Sequence, residues 1–327
     1  MEQVLSLDVS ILEHSRNLRK LEESGDSEIQ KFFAGKTVLV TGGTGFLGKQ
    51  LIEKLLRSCR DIDRIYLLLR PKKGKDVTQR LQEQLADPCY DTLRKYDQNF
   101  GVKIVGIEGD TGELGLALSG TNRKVLLNEV DVIFHGAATV RFDDHIKKAV
   151  LTNVRGTREV LLLAAECKHL SAFVHVSTAY SHAPRSECKE EFYPSPIASD
   201  LMIEMAETVD EDILERITPG LIGDWPNTYT FSKALAEDQL KRLAVEHKVP
   251  AGVIRPAIGS IVRSRDFSIR QKVYDALYWL VVDNPLYKDV TIDTNVIINE
   301  GNIIRVEEAP VEIAIETNDE STENASA

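Results

Sequence analysis

The stretch Arg64–Arg70 (RIYLLLR) is apolar almost without interruption, the pattern of a strand buried on both faces, as in parallel sheets. Shorter runs resemble it at Lys36–Val40 (KTVLV), Val102–Ile107, Val130–Phe134, Ala172–Val176 and Pro250–Arg255. Between them lie segments with helical periodicity at Leu47–Arg57, Val77–Tyr96, Arg123–Asn128, Ile146–Cys167 and Tyr229–His247, with a break expected at Pro88. Strands alternating with helices of this length predict an α/β fold: a doubly wound, Rossmann-type parallel sheet with helices on both faces. No internal repeat is present. Residues 1–35 read as a polar leader, 36–262 as the sheet domain, 263–315 as a partial substrate region, and 316–327 as a disordered acidic tail.

The first strand runs into Thr41-Gly42-Gly43-Thr44-Gly45-Phe46-Leu47-Gly48, which opens a helix. Free amides and a positive dipole end at a helix start suit a pyrophosphate. Gly42 suits the tight turn, Gly45 the close approach of backbone to phosphate, and Gly48 the packing of helix on strand. The order strand, turn, helix separates this motif from an ordinary glycine turn. The second strand ends at Arg70, with Lys72 and Lys73 following, where NAD-preferring folds place an acidic residue for the ribose 2′-hydroxyl. Clustered cations suit a 2′-phosphate, so the expected cofactor is NADPH; the alternative is a solvated basic loop. Asp110, after the third strand, is placed to reach an adenine amine or simply to make a turn. After the fourth strand, His135 reads as a packing residue, and Gly136, Ala137 and Ala138 are small enough to let backbone pass a cofactor.

A spacing of four puts Tyr229 and Lys233 on one helical face. An ammonium there lowers a tyrosine's pKa and fits it to exchange a proton during hydride transfer. Ser177 and Thr178 follow the fifth strand, at the carboxyl edge where doubly wound sheets bind ligands. Either hydroxyl suits a carbonyl-orienting role; a strand-end turn is the plainer reading. Asn153 sits inside the long helix, although Asn is a mediocre helix former, which suggests a tertiary role or a tolerated polar residue.

The chain carries 51 acidic and 40 basic residues, a net charge of −11, which argues against a general nucleic-acid binder. Residues 301–327 hold seven acidic residues and one basic, so much of the acidity belongs to the tail. Cys59, Cys89, Cys167 and Cys188 are scattered, which predicts neither a metal site nor a disulfide framework. No apolar run reaches the ~18 residues of a membrane span, and the polar start does not read as a signal peptide.

Together TGGTGFLG at 41–48, HGAA at 135–138, NVRGT at 153–157, ST at 177–178 and YTFSK at 229–233 resemble the extended short-chain dehydrogenase/reductase superfamily. More narrowly, IYLLLRPKKG, AATVRFDDHIKKAVLTNV, FVHVSTAYS, EEFYP and NTYTFSKALAE are similar to the alcohol-forming fatty acyl-CoA reductases of insects and animals. The resemblance implies NADPH-dependent reduction of long-chain fatty acyl-CoA to a primary alcohol. Two hydrides are used, an aldehyde forms between them, and CoA is released. It implies Tyr229 as proton donor with Lys233 as its partner, and Thr178 or Ser177 as the hydroxyl that orients the carbonyl. Asn153 joins this catalytic set. Thr41, Gly42, Gly45, Phe46, Leu47, Gly48, Arg70, Lys73, Asp110, Ala137, Ala138 and Pro256 become cofactor contacts, shared with Tyr229 and Lys233. The resemblance also implies work on the cytosolic side of a peroxisomal or endoplasmic-reticulum membrane. This chain lacks the family's anchor and its Gly-, Trp- and Asn-rich continuation, so it reads as soluble with an incomplete substrate region. The family leaves an oligomer open. Two other readings stand beside it: a sugar-nucleotide or steroid oxidoreductase, and a non-catalytic NADPH- or partner-binding fragment.

Overall fold

The structure is a computed structural model that describes residues 27–72 and 74–256, with the backbone of Ile297–Asn299 and Asn302–Ile304. The elements in chain order are α1 (Glu28–Phe33), β1 (Thr37–Thr41), α2 (Phe46–Ser58), β2 (Arg64–Leu69), α3 (Val77–Leu85), α4 (Asp91–Tyr96) and β3 (Ile104–Glu108). There follow α5 (Gly120–Glu129), β4 (Val132–His135), α6 (Ile146–Ala149), a π-helical stretch Val150–Arg155, α7 (Gly156–Glu166) and β5 (Ala172–Val176). The last are α8 (Ser199–Thr208), α9 (Glu211–Ile222), α10 (Thr228–His247) and β6 (Ala251–Ile254). The strands at 297–299 and 302–304 pair antiparallel. The expectations for the leader before residue 27, for Lys73, and for the rest of 263–315 and the tail lie outside the described residues.

The six long strands form one sheet in the order β3-β2-β1-β4-β5-β6, and all five neighbouring pairs are parallel. The order reverses between β1 and β4, the switch point where such sheets bind ligands at their carboxyl ends. Successive strand residues feed two separate cores. Val38, Val40, Ile65, Leu67, Val132, Phe134 and Val174 pack with α2 on one face. Leu39, Tyr66, Leu68, Ile133, Phe173 and Val253 pack with α7 and α10 on the other. This two-sided burial is why the strands lack a polar alternation. A third apolar cluster joins Ile146, Val150 and Val154 to Met202, Ile203 and Leu214 of α8 and α9 and to Phe231 and Leu235 of α10.

Two local features differ from the sequence expectations, and one agrees with them. The leader is not polar to its end: Ser27 and Gln30 form a capping box, and Phe33 of α1 is fully buried in the sheet core. Pro88 splits the expected helix as predicted, with Asp87 capping a 3₁₀ turn between α3 and α4. Helices α8 and α9 were absent from the pattern reading. Asp210 caps α9, Pro219 lies inside it, and both helices are held by the third core.

Candidate active site

At β1 the chain turns through Gly42, whose φ of +74° suits glycine. A Cβ there would lie 2.5 Å from the carbonyl carbon of Gly136, so the turn and the HGAA loop after β4 touch backbone to backbone. Gly48 meets the Gly42 carbonyl in the same way, and Gly45 N donates to Gly42 O at 2.9 Å. Helix α2 starts at Phe46 with no side-chain cap, so the amides of Phe46, Leu47 and Gly48 have no partner within the helix. A cradle without side chains, closed by amides at a helix N-terminus, fits a dinucleotide pyrophosphate. At the neighbouring strand ends, Arg70 donates to Asp110 at 3.2 Å, and Asp110 also accepts from Gly112 N at 2.9 Å. Arg70 is largely exposed, so that pair leaves its guanidinium open to a ligand.

A polar row crosses the sheet just below this edge. Thr41, His135 and His175 are register partners on β1, β4 and β5, one step above the apolar row Leu39, Ile133 and Phe173. Thr41 Oγ1 accepts from Ala137 N at 3.2 Å and lies 2.8 Å from His135 Nδ1. His135 Nε2 lies 3.1 Å from Thr157 Oγ1, whose proton goes to the Asn153 carbonyl at 2.7 Å. Thr157 therefore accepts from Nε2–H, and Thr41 donates to Nδ1, which fixes a neutral imidazole. Burial, with Lys233 nearby, pushes His135 down to about 3. His135 is a strut of the HGAA loop, the packing role expected of it.

Asn153 lies in the π-helical stretch, a geometry that recurs at functional sites. Its Oδ1 accepts from Thr139 N at 2.8 Å, and its Nδ2 donates to Thr139 O at 3.1 Å and to Ser232 Oγ at 2.9 Å. One buried amide thus ties the loop after β4 to α10. Asp144 closes the same loop, accepting from Thr139 Oγ1 and, at 2.6 Å, from Lys148, while its carbonyl accepts from Thr228 Oγ1 at 2.8 Å. The AATVRFDDH segment is therefore an anchored arch. It sets the half-exposed Phe142 ring 5.8 Å from the ring of Tyr229.

Tyr229 and Lys233 lie one turn apart on α10 but face different partners. Lys233 donates to Val176 O at 2.6 Å and lies 3.1 Å from His175 Nε2. Burial pushes Lys233 down to about 7 against an upward pull from Glu237. Burial raises the Tyr229 hydroxyl above the usual value, while the neighbouring Thr178 hydroxyl pulls it the other way. The expected lowering of Tyr229 by Lys233 is not what the structure has: the ammonium is turned to the β5 carbonyl, and desolvation dominates the phenol.

The structure also separates the two candidate hydroxyls. Thr178 acts on the Tyr229 hydroxyl, whereas Ser177 is buried and donates to Glu237. Ser177 is corrected from a carbonyl-orienting group to an anchor, because its only proton is committed to a carboxylate. The sequence reading missed His175, His182, Glu237 and Arg255. Glu237 accepts from Arg255 Nε at 3.0 Å and Nη2 at 2.7 Å and lies 2.9 Å from His182 Nε2. Burial alone would raise its carboxyl, but His182 and Arg255 hold it down at about 2. A spacing of four from Lys233 is the signal that could have found Glu237. A histidine two residues after Phe173 in an otherwise apolar strand is the signal for His175. Burial pushes the Cys89 and Cys167 thiols up to about 12, which leaves no nucleophilic thiolate there. No cluster of metal-binding side chains exists among the described residues.

The glycine cradle at the switch point of a 3-2-1-4-5-6 sheet, with Tyr229 and Lys233 beside it, defines a nicotinamide-dinucleotide-binding domain of reductase type. The chain belongs to the NAD-binding family described as male sterility protein, whose sequence model matches residues 40–269. It is 42% identical over 230 residues to human fatty acyl-CoA reductase 1, covering 70% of this chain and 44% of that protein. It is 41% identical over 232 residues to bovine fatty acyl-CoA reductase 2, covering 71% and 45%. The chain thus spans less than half the length of these relatives. Among solved structures, the reductase domain of a nonribosomal peptide synthetase from Mycobacterium tuberculosis is 27% identical. That match covers 68% of this chain and 47% of the other at a TM-score of 0.48. No helix among the described residues is long and apolar enough to cross a membrane.

Proposed function

We propose that the chain carries the catalytic part of an NADPH-dependent reduction of long-chain fatty acyl-CoA to the primary alcohol. The observation that supports this best is the glycine cradle at the switch point of the parallel sheet, in a chain of a family whose curated relatives are named for that substrate. When bound, NADPH supplies the hydride for both reductions. The amides of Phe46, Leu47 and Gly48 hold the pyrophosphate, Arg70 with Lys73 meets the 2′-phosphate, and Asp110 borders the adenine. Thr41 acts by fixing Ala137 N, while Ala137, Ala138 and Pro256 let backbone lie against the cofactor. Lys233 keeps a third N–H for the ligand after its contacts with Val176 and His175.

Thr178 and Tyr229 donate to the thioester oxygen as it becomes an oxyanion, the charge that such donors stabilise. When the carbonyl re-forms, the carbon–sulfur bond breaks, CoA leaves as thiolate and an aldehyde remains. In the second step Tyr229 gives its proton to the aldehyde oxygen as hydride reaches carbon. Asn153 holds the arch against α10 and so acts by position. Each alcohol consumes two NADPH. The whole protein works at a peroxisomal or endoplasmic-reticulum membrane, facing the cytosol.

The test is incubation of the purified chain with palmitoyl-CoA and NADPH, following thiol release, NADPH absorbance and alcohol by gas chromatography. Thiol and alcohol in a one-to-one ratio, with two NADPH consumed, are expected. Tight NADPH binding with neither product would overturn the reading and leave a dinucleotide-binding part whose substrate half lies elsewhere. Turnover of a sugar nucleotide or steroid instead would reassign the substrate.

A further inference from the structure

Thr178 carries the hydroxyl that meets Tyr229, yet little holds its own side chain. Among the described residues its hydroxyl has one hydrogen bond, a long one accepted from Tyr180 N at 3.3 Å. What is fixed is the chain on either side. Ser177, just before it, donates its hydroxyl to Glu237 Oε1, and His182, four residues later, lies 2.9 Å from Glu237 Oε2. Glu237 is on α10, two turns beyond Tyr229, so one rigid helix carries both the phenol and the carboxylate that grips the Thr178 turn from both ends. Arg255, just past β6, binds both oxygens of that carboxylate. It also donates to Lys189 O at 3.1 Å and Glu191 O at 2.9 Å, which draws the 182–193 loop onto the same point. Ser177, His182, Glu237 and Arg255 are all buried, so the clamp is dry.

We propose that Glu237, acting through Ser177 and His182, is a positioning residue that sets the distance between the Thr178 and Tyr229 hydroxyls. The inference concerns geometry at the site and rests on the proposed reductase reading only for its kinetic consequence. A buried Glu–Arg pair alone would be expected to hold the fold; this one also binds the side chains of Ser177 and His182, on either side of Thr178, and spares the Thr178 hydroxyl. The clamp touches no part of the glycine cradle, so it bears on the reacting end of the site and leaves dinucleotide binding alone.

The experiment uses Ser177→Ala in the full chain. This variant cuts the Ser177 arm and leaves the Glu237–Arg255–His182 contacts in place, so it avoids the folding risk of removing the carboxylate. Two readouts are taken. In the first, ¹³Cζ-tyrosine NMR follows the titration of Tyr229, identified by the resonance lost in Tyr229→Phe. Because the Thr178 hydroxyl pulls the Tyr229 hydroxyl down, its displacement is expected to shift that titration upward. In the second, kcat for acyl-CoA reduction is expected to fall on the order of tenfold or more, as misplacement of reacting groups predicts, with KM for NADPH unchanged. An unmoved Tyr229 titration in Ser177→Ala overturns the proposal, whether or not the chain turns over acyl-CoA. A shifted Tyr229 titration in Ser177→Ala, together with a wild-type chain that turns over no acyl-CoA, upholds the positioning role and sinks the reductase reading instead.

Discussion

Nζ of Lys233 lies 3.1 Å from Nε2 of His175, and both side chains are fully buried. Neither residue has a carboxylate as hydrogen-bond partner; Lys233 is otherwise held by the Val176 carbonyl, and Glu237 acts on it only through its charge. An ammonium so enclosed is costly to keep charged. Burial therefore sets the charge state of the lysine that the motif spacing assigns to tyrosine.

The first prediction follows from that burial. Lys233 titrates near 7 in the folded chain and near its usual value of 10.5 when unfolded. Between those values the unfolded chain binds the extra proton, so this group makes stability rise with pH across that window. The penalty is full below about 7 and gone above 10.5. Lys233→Met removes it, so the melting temperature of the variant relative to wild type should fall from pH 7 to pH 9. The change is on the order of 2 kcal/mol. A difference independent of pH in thermal melts would refute the assignment.

Gly42→Ala combines a positive φ with a Cβ 2.5 Å from the Gly136 carbonyl carbon. The left-handed backbone alone costs an alanine about 1–2 kcal/mol, and here the obstacle is backbone that cannot swing away. Differential scanning fluorimetry should show a loss of at least that size. Fluorescence titration should show NADPH binding weakened more than tenfold.

Tyr229→Phe keeps the buried ring and removes the proton. Loss of acyl-CoA reduction by about 10²–10⁴ in kcat is expected, the usual worth of a positioned general acid. NADPH affinity and stability should both stay nearly unchanged. Retained turnover would remove Tyr229 from the chemistry.

Arg70→Glu tests cofactor choice. The Arg70–Asp110 pair is exposed at its arginine end, so its loss should alter stability by less than about 1 kcal/mol. The ratio of kcat/KM for NADPH over NADH should fall by at least tenfold, because a carboxylate repels a 2′-phosphate and suits a 2′-hydroxyl. An unchanged ratio would move that phosphate elsewhere.

Most of the strand and helix order was legible because both signals are local. Buried parallel strands show as unbroken apolar runs, and Gly42, Gly45 and Gly48 mark a turn that side chains would obstruct. What was not legible is what several elements decide together. Asn153 could be suspected in its helix, but its partners Thr139 and Ser232 come from a loop and another helix. Ser177 and Thr178 cannot be told apart as neighbours in sequence; they diverge because successive residues of an extended chain point opposite ways. One then meets Glu237 and the other Tyr229.

The sequence by itself therefore determined the doubly wound fold, the cradle for a dinucleotide and the face of α10 that carries Tyr229 and Lys233. Only the tertiary structure decided that Lys233 turns to Val176 and His175, and that Tyr229 stays protonated beside Thr178. It also decided that a buried Glu237 anchors the turn between them. Periodicity and steric need act within a few residues, and so they are written along the chain. Desolvation and hydrogen-bond competition depend on which distant groups are brought together, and so they exist only once the sheet and its helices have closed.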